Sequence, residues 1–164
     1  MINSNFNAFK KQITHPIKFR VFLLKSLPSA WFAGLRVVEL SEKKSCVSIQ
    51  YKWFNKNPFN SIYFAMLSAA AEVSTGILCM GNIYKRNPGV SMLVTQSSGK
   101  FFKKATGKIN FICNDGDAIN TLVEEAIATG EGREITCISK GTNQAGEVVA
   151  EFMFTWSFKV KQSK

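Results

Sequence analysis

The stretch Asn57-Pro-Phe-Asn-Ser-Ile-Tyr-Phe-Ala-Met-Leu-Ser-Ala-Ala-Ala-Glu72-Val-Ser-Thr-Gly76 decides the fold. It opens as a polar turn and continues as an Ala-rich, nearly uncharged run, which predicts a helix over about 62–80. A helix that is apolar all round is a buried one. Ala65, Ser68, Ala69, Ala70, Ala71, Ser74 and Gly76 are small enough to let it lie close against a sheet. Glu72 is the anomaly, because a carboxylate in such a place requires a partner, a raised pKa or a task.

Extended patterns flank this helix on both sides. From Cys46 to Trp53 the chain alternates, with Val47, Ile49, Tyr51 and Trp53 on one face and Cys46, Ser48, Gln50 and Lys52 on the other. That is the pattern of a half-buried antiparallel strand. Gly34–Leu40 is a candidate first strand, and Pro16 opens a short amphipathic helix over residues 16–27 that stops before Pro28.

Beyond the helix, Tyr84–Gly89 is a turn-rich link, and Val90–Ser98 and Gly107–Cys113 read as strands. Asn114-Asp-Gly-Asp117 is turn chemistry whose carboxylates suit a helix cap. The helix it opens carries Ile119, Leu122, Val123, Ala126 and Ile127 on one stripe and ends near Gly130. A hairpin about Thr142–Gly146 closes the chain, its second arm alternating through Val148, Ala150, Phe152, Phe154, Trp156, Phe158 and Val160. The order predicts a single α+β domain over residues 1–164, with a helical segment over 1–30 and a core over about 31–160. In that core an antiparallel sheet wraps around one long central helix.

The composition bounds the rest. A chain of 164 residues, 46% hydrophobic and 20% charged, has a real core and is not disordered. Its formal charge of +10 favours anionic partners, whether nucleic acid, an anionic membrane or a phosphate-bearing small molecule. Cys46, Cys79, Cys113 and Cys137 form no Cys-x-x-Cys pair and read as reduced, buried thiols. With no apolar leader at its start, the chain is expected in the cytoplasm.

Residues 58–84 hold Glu72 as their only charge, a run long enough to raise a membrane span. Asn60, Ser61, Ser68, Ser74, Thr75 and Asn82 dilute it, so a packed core helix is expected instead. His15 is the sole histidine, which leaves a Ser-His-Asp triad or a His-rich metal site without support. Asp115-Gly-Asp117 lacks the spacing and closing Glu of a calcium loop, so no metal is expected.

The element order and the start of the central helix together resemble the hotdog fold of acyl-coenzyme A thioesterases and their uncharacterised relatives. The family pattern is N-x-x-G-[ST]-x-H-G-G, with an acid nine positions beyond the His on the same helix. Asn57 matches the Asn, Ser61 the hydroxyl, and Glu72 the acid, nine positions beyond Tyr63 (72 − 63). Tyr63-Phe64-Ala65 stands in place of His-Gly-Gly, and Asn60 in place of the first Gly. Lys100-Phe-Phe-Lys-Lys-Ala105 resembles the family strand that ends before a Pro-Ala, and Pro88-Gly-Val-Ser91 resembles that strand's start.

The resemblance implies hydrolysis of an acyl-coenzyme A thioester, with coenzyme A entering as part of the substrate and no separate cofactor. Glu72 would be general base or nucleophile, Asn57 would position water or carbonyl, and Ser91 or Thr95 would be an accessory hydroxyl. Ser61, Tyr63, Phe64 and Ala65 would receive the carbonyl at the helix mouth, and Lys100, Lys103 and Lys104 would meet the coenzyme A phosphates. It also implies a homodimer, or a tetramer of such dimers, with sites across the interface.

Helix geometry points the same way. Nine residues at 1.5 Å rise span roughly 13 Å and end on opposite faces, so one subunit cannot bring both groups to one carbonyl. Other readings stay open at this point. Glu72 can be a structural acid paired across a dimer, and Phe64-Ala65 in place of Gly-Gly favours a non-catalytic acyl or lipid binder. A nucleic-acid binder ranks last, because no recognised motif accompanies the charge.

Overall fold

Two prolines set the opening of the chain in a computed structural model that describes residues 3–161. Pro16 and Pro28 take the first positions of α2 (Pro16–Ser26) and α3 (Pro28–Ala33), where a missing N–H breaks no helical bond. The expected stop before Pro28 is therefore also a start. α1 (Phe6–Ile13) precedes them and docks on the central helix α4 (Phe64–Ile83) through Phe6, which lies over Gly81. Nearby, the Asn3 amide donates to the Gly81, Asn82 and Tyr84 carbonyls at 2.9, 3.3 and 2.9 Å. That answers the orphan carbonyls left at a helix C-terminus.

Among the described residues, six antiparallel strands form one sheet: β1 (Arg36–Leu40), β2 (Ser45–Gln50), β3 (Val90–Phe101), β4 (Lys108–Cys113), β5 (Arg133–Thr142) and β6 (Val148–Val160). Their order is β1-β2-β4-β5-β6-β3. α4 packs against β2, β4, β5, β6 and β3, with α5 (Gly116–Thr129) beside it over β5 and β6. This is the α+β arrangement expected, a sheet wrapped around one helix. Helix α4 is long and apolar enough to cross a membrane by length and composition, yet 61% of its most apolar window is buried inside the protein. It is the core helix.

Small residues make this packing possible. Ala70, Ala71, Leu78 and Cys79 are fully buried, and the polar groups among them are satisfied. The Ser45 hydroxyl donates to the Ser74 carbonyl at 2.5 Å. The Ser74 hydroxyl donates to the Ala71 carbonyl at 2.7 Å, which leaves Ser139 to donate to the Ser74 hydroxyl, also at 2.7 Å. β2 and β5 are thus tied to α4 without an unpaired buried group.

Three local expectations are corrected. β2 is buried on both faces from Ser45 to Ile49, not half-buried, because small Cys46 and Ser48 lie in register between larger neighbours on β1 and β4. Trp53 is not in the strand; it opens a 3-10 turn and is 79% exposed. Asp115 sits at the N-cap position of α5 without capping it. Its carboxylate instead accepts from the Ile138 amide at 2.8 Å, just beyond the point where β4–β5 pairing stops at Ile112 and Lys140. The four cysteines are free and buried, as read.

Candidate functional site

The turn leading into α4 is built by Asn57. Its Oδ1 accepts from the Phe59 and Ser61 amides at 3.0 and 3.2 Å, and its Nδ2 donates to the Ser61 hydroxyl at 3.0 Å. Asn60 completes the turn with φ +57°, a conformation that favours Gly and that Asn tolerates better than most residues. That explains how Asn stands where the family pattern has its first Gly. The Ile62 amide then donates to Ala105 and the Tyr63 amide to Asn55, fixing the entry of the helix.

No side chain caps α4, and the Phe64 and Ala65 amides meet no acceptor among the described residues. They are the orphan donors of a helix start, at the positive end of its dipole. In front of them opens a cavity of about 650 Å³ whose walls include Phe59, Phe64, Phe101 and Phe102. Lys103 and Lys104 stand at its rim. The Phe64 ring leans edge-on against Tyr63 and Phe101, with centroids 4.9 and 6.4 Å away. Lys104 reaches the Phe59 carbonyl at 3.3 Å. Lys103 pairs with Glu147, whose carboxyl this contact and Asn143 hold below the ordinary range.

Asn57, Ser61, Tyr63, Phe64, Lys103 and Lys104 therefore share one cavity, with Ala65 in the first turn of the helix behind it. Asn57 and Ser61 spend their hydrogen bonds on the turn. Besides Glu72, three sequence candidates lie elsewhere. Ser91 faces the outer side of the sheet, opposite Lys159, and donates to its carbonyl at 3.0 Å. Thr95 occupies a bulge between Val94 and Gln96 and leans on the Thr155 carbonyl. Lys100 is in register with Glu151, which also meets Lys140 at 3.5 Å on that outer face.

Glu72 sits about two turns along α4, partly buried. Its carboxylate has no hydrogen-bond or ion-pair partner among the described residues, and burial alone pushes its pKa up. It lies beside Gly76, where a Cβ would be 3.5 Å from the Glu72 Oε1 and 3.4 Å from the Trp156 indole. The indole N–H donates to Thr75 at 3.0 Å and so cannot serve the carboxylate.

Ala65, Ser68, Ala69 and Glu72, spaced i, i+3, i+4, i+7, are the half-exposed seam of α4. A smaller cavity of about 230 Å³ runs along it toward β3, lined by Ser68, Ser97 and Gly99. These three were not foreseen. Gly99 carried a signal, since a Gly inside a strand marks a close approach. A Cβ there would stand 2.7 Å from the Phe152 ring.

A family model described as Domain of unknown function (DUF4442) matches residues 17–158. The chain belongs to this family. Among solved structures, the DUF4442 chain is similar to PA5026 of Pseudomonas aeruginosa, described as a protein of unknown function and probable thioesterase. Identity there is 22% and TM-score 0.75, over 92% of this chain and 99% of that one. A candidate thioesterase of Shewanella oneidensis aligns at 11% identity and TM-score 0.74, over 88% and 96%. The Escherichia coli PaaI protein from the phenylacetic acid degradation operon aligns at 12% and 0.62, over 92% and 98%. At these identities the likeness establishes the fold, which is the hotdog fold. No protein of curated function matches the chain.

Proposed function

We propose that this protein hydrolyses acyl-coenzyme A thioesters at a site shared by two copies of the chain. The observation that carries the reading is Glu72: a carboxylate without a partner among the described residues, on the open seam of the core helix, its pKa raised by burial. Such a group suits a general base. In the proposed step, Glu72 of one copy takes a proton from water as the oxygen attacks the thioester carbon. The Phe64 and Ala65 amides of the other copy receive the developing oxyanion. The intermediate collapses by breaking the C–S bond, and the proton on Glu72 passes to the departing thiolate.

The second copy would meet the first at β3. This 12-residue strand is at the edge of the sheet, with no further strand beside it among the described residues. A long open edge is a template for pairing, and a two-fold axis lets two such edges satisfy each other. The acyl chain would occupy the aromatic cavity, and Lys103 and Lys104 would face the coenzyme A phosphates at its rim. Four free thiols suit the reducing cytoplasm as the compartment.

Free-thiol release from a panel of short, long and aromatic acyl-coenzyme A esters tests this. Wild type is expected to turn over at least one ester, and Glu72→Gln to lose about 10²-fold or more. Wild-type protein that is folded yet inactive across the panel overturns the reading. A second reading, a non-catalytic acyl binder, is favoured by Phe64, a 56% exposed aromatic side chain at the helix mouth where the family pattern has Gly. It predicts ligand retained without turnover.

A further inference from the structure

Helix α2 is apolar on two sides. Phe19 and Leu23 are buried beneath it, while Ile17, Val21 and Leu24 are 70, 46 and 51% exposed on the opposite side. At 100° per residue the exposed three form one ridge, with Lys18 and Lys25 along one flank and Arg20 along the other. An exposed ridge of this kind marks an interaction surface. It continues through Trp31, which shares a groove with Ile17, Val21 and Leu24. From there it passes to Phe32, 50% exposed, whose ring stacks on Phe54 at 5.5 Å.

The charge around the ridge has one sign. The chain has no Asp or Glu before Glu39, but Lys10, Lys11, Lys18, Arg20, Lys25 and Arg36 precede it. None of these six forms an ion pair among the described residues. Arg20 lies 4.3 Å over the Trp31 ring and donates to the Trp31 carbonyl at 2.9 Å, its one hydrogen bond among the described residues. Arg36 lines the same groove. Burial first, and then repulsion from Arg36, holds the pKa of Arg20 down; burial, and then repulsion from Arg20 and Arg36, does the same for Lys52.

We propose that α2 and the groove beside it dock this protein on the surface of an anionic lipid bilayer. Ile17, Val21 and Leu24 enter the headgroup–acyl boundary, and Lys18, Arg20, Lys25 and Arg36 meet the lipid phosphates. An apolar centre with cationic flanks is the form that an interfacial helix takes, the long basic side chains reaching up to the headgroups. A polyanion such as RNA requires cations along the centre of its track, which here is apolar. A second copy across a two-fold axis would set this cation cluster against itself. The docking is independent of the proposed hydrolysis.

The test is co-sedimentation of the full chain with phosphatidylcholine vesicles, with and without roughly one-third phosphatidylglycerol, at low and high salt. Binding is expected on the anionic vesicles alone, weakening as salt rises. The triple variant Ile17→Ser, Val21→Ser, Leu24→Ser is expected to bind about tenfold more weakly or worse. Lys18→Gln with Lys25→Gln is expected to lose about thirtyfold at low salt. Inorganic phosphate should compete no better than chloride of equal ionic strength. Wild-type protein left in the supernatant, full binding by the serine variant, or a serine variant that instead splits a lipid-free dimer each overturns the proposal.

Discussion

Helices α4 and α2 both carry apolar residues around most of their circumference, and they meet opposite fates. The sheet closes over most of α4 and leaves the narrow seam that ends at Glu72 half-exposed. α2 is covered on one side by the core and presents Ile17, Val21 and Leu24 to solvent on the other. In the first case the rare polar residue is the informative one, and in the second the exposed apolar residues are. The same hydropathy thus signals a core in one place and a contact surface in another, and only what covers each face tells them apart.

Adjacent leucines offer the sharpest way to break this comparison. Leu23→Ala removes a fully buried side chain from α2 and, like Leu78→Ala in α4, is expected to lower stability by about 2–5 kcal/mol in denaturant unfolding. Asn57→Ala strips the turn that feeds α4 of its side-chain hydrogen bonds. About 1–3 kcal/mol of stability should go with them, along with any ligand binding at the cavity, measured by titration.

Glu72→Gln should leave stability at neutral pH equal or higher, within about 1 kcal/mol, while turnover falls. The sign follows from linkage. A carboxyl whose folded pKa is raised stays protonated in the folded chain after the unfolded chain has ionised, so stability falls as pH rises between the two values. Wild type should therefore lose stability across that window relative to Glu72→Gln, and thermal unfolding at stepped pH checks it. The smallest effect belongs to Leu24→Ala, one position from Leu23. It should change stability by less than about 0.5 kcal/mol and yet weaken vesicle binding. Equal losses for the two leucines would sink the distinction between the faces of α2.

Much of this fold is legible in the residues because each element had to satisfy its own backbone. The expected central helix over about 62–80 is Phe64–Ile83, and the long alternation of Val148–Val160 buries Phe152, Phe154, Trp156 and Phe158 on one face. The candidate site was legible at its mouth, where Asn57, Ser61, Tyr63 and Phe64 lie close in sequence and local turn chemistry brings them together. Ser91, Thr95 and Lys100 were less so. Which face a strand residue takes depends on register, and a bulge at Thr95 shifts that register midway along β3. Asp115 escaped the cap expected of it because an unpaired amide on β5, 23 residues away in sequence, made a better partner.

From the sequence alone came the element order, the buried helix with a single carboxylate, and the free thiols, all of which follow from local periodicity and composition. The tertiary structure decided the rest. Among the described residues it left Glu72 without a partner, brought the 101–105 segment against the helix mouth to make a cavity, and left one face of α2 uncovered. Those are facts about which surfaces meet, and surfaces distant along the chain meet only once the whole fold has fixed their registers and orientations.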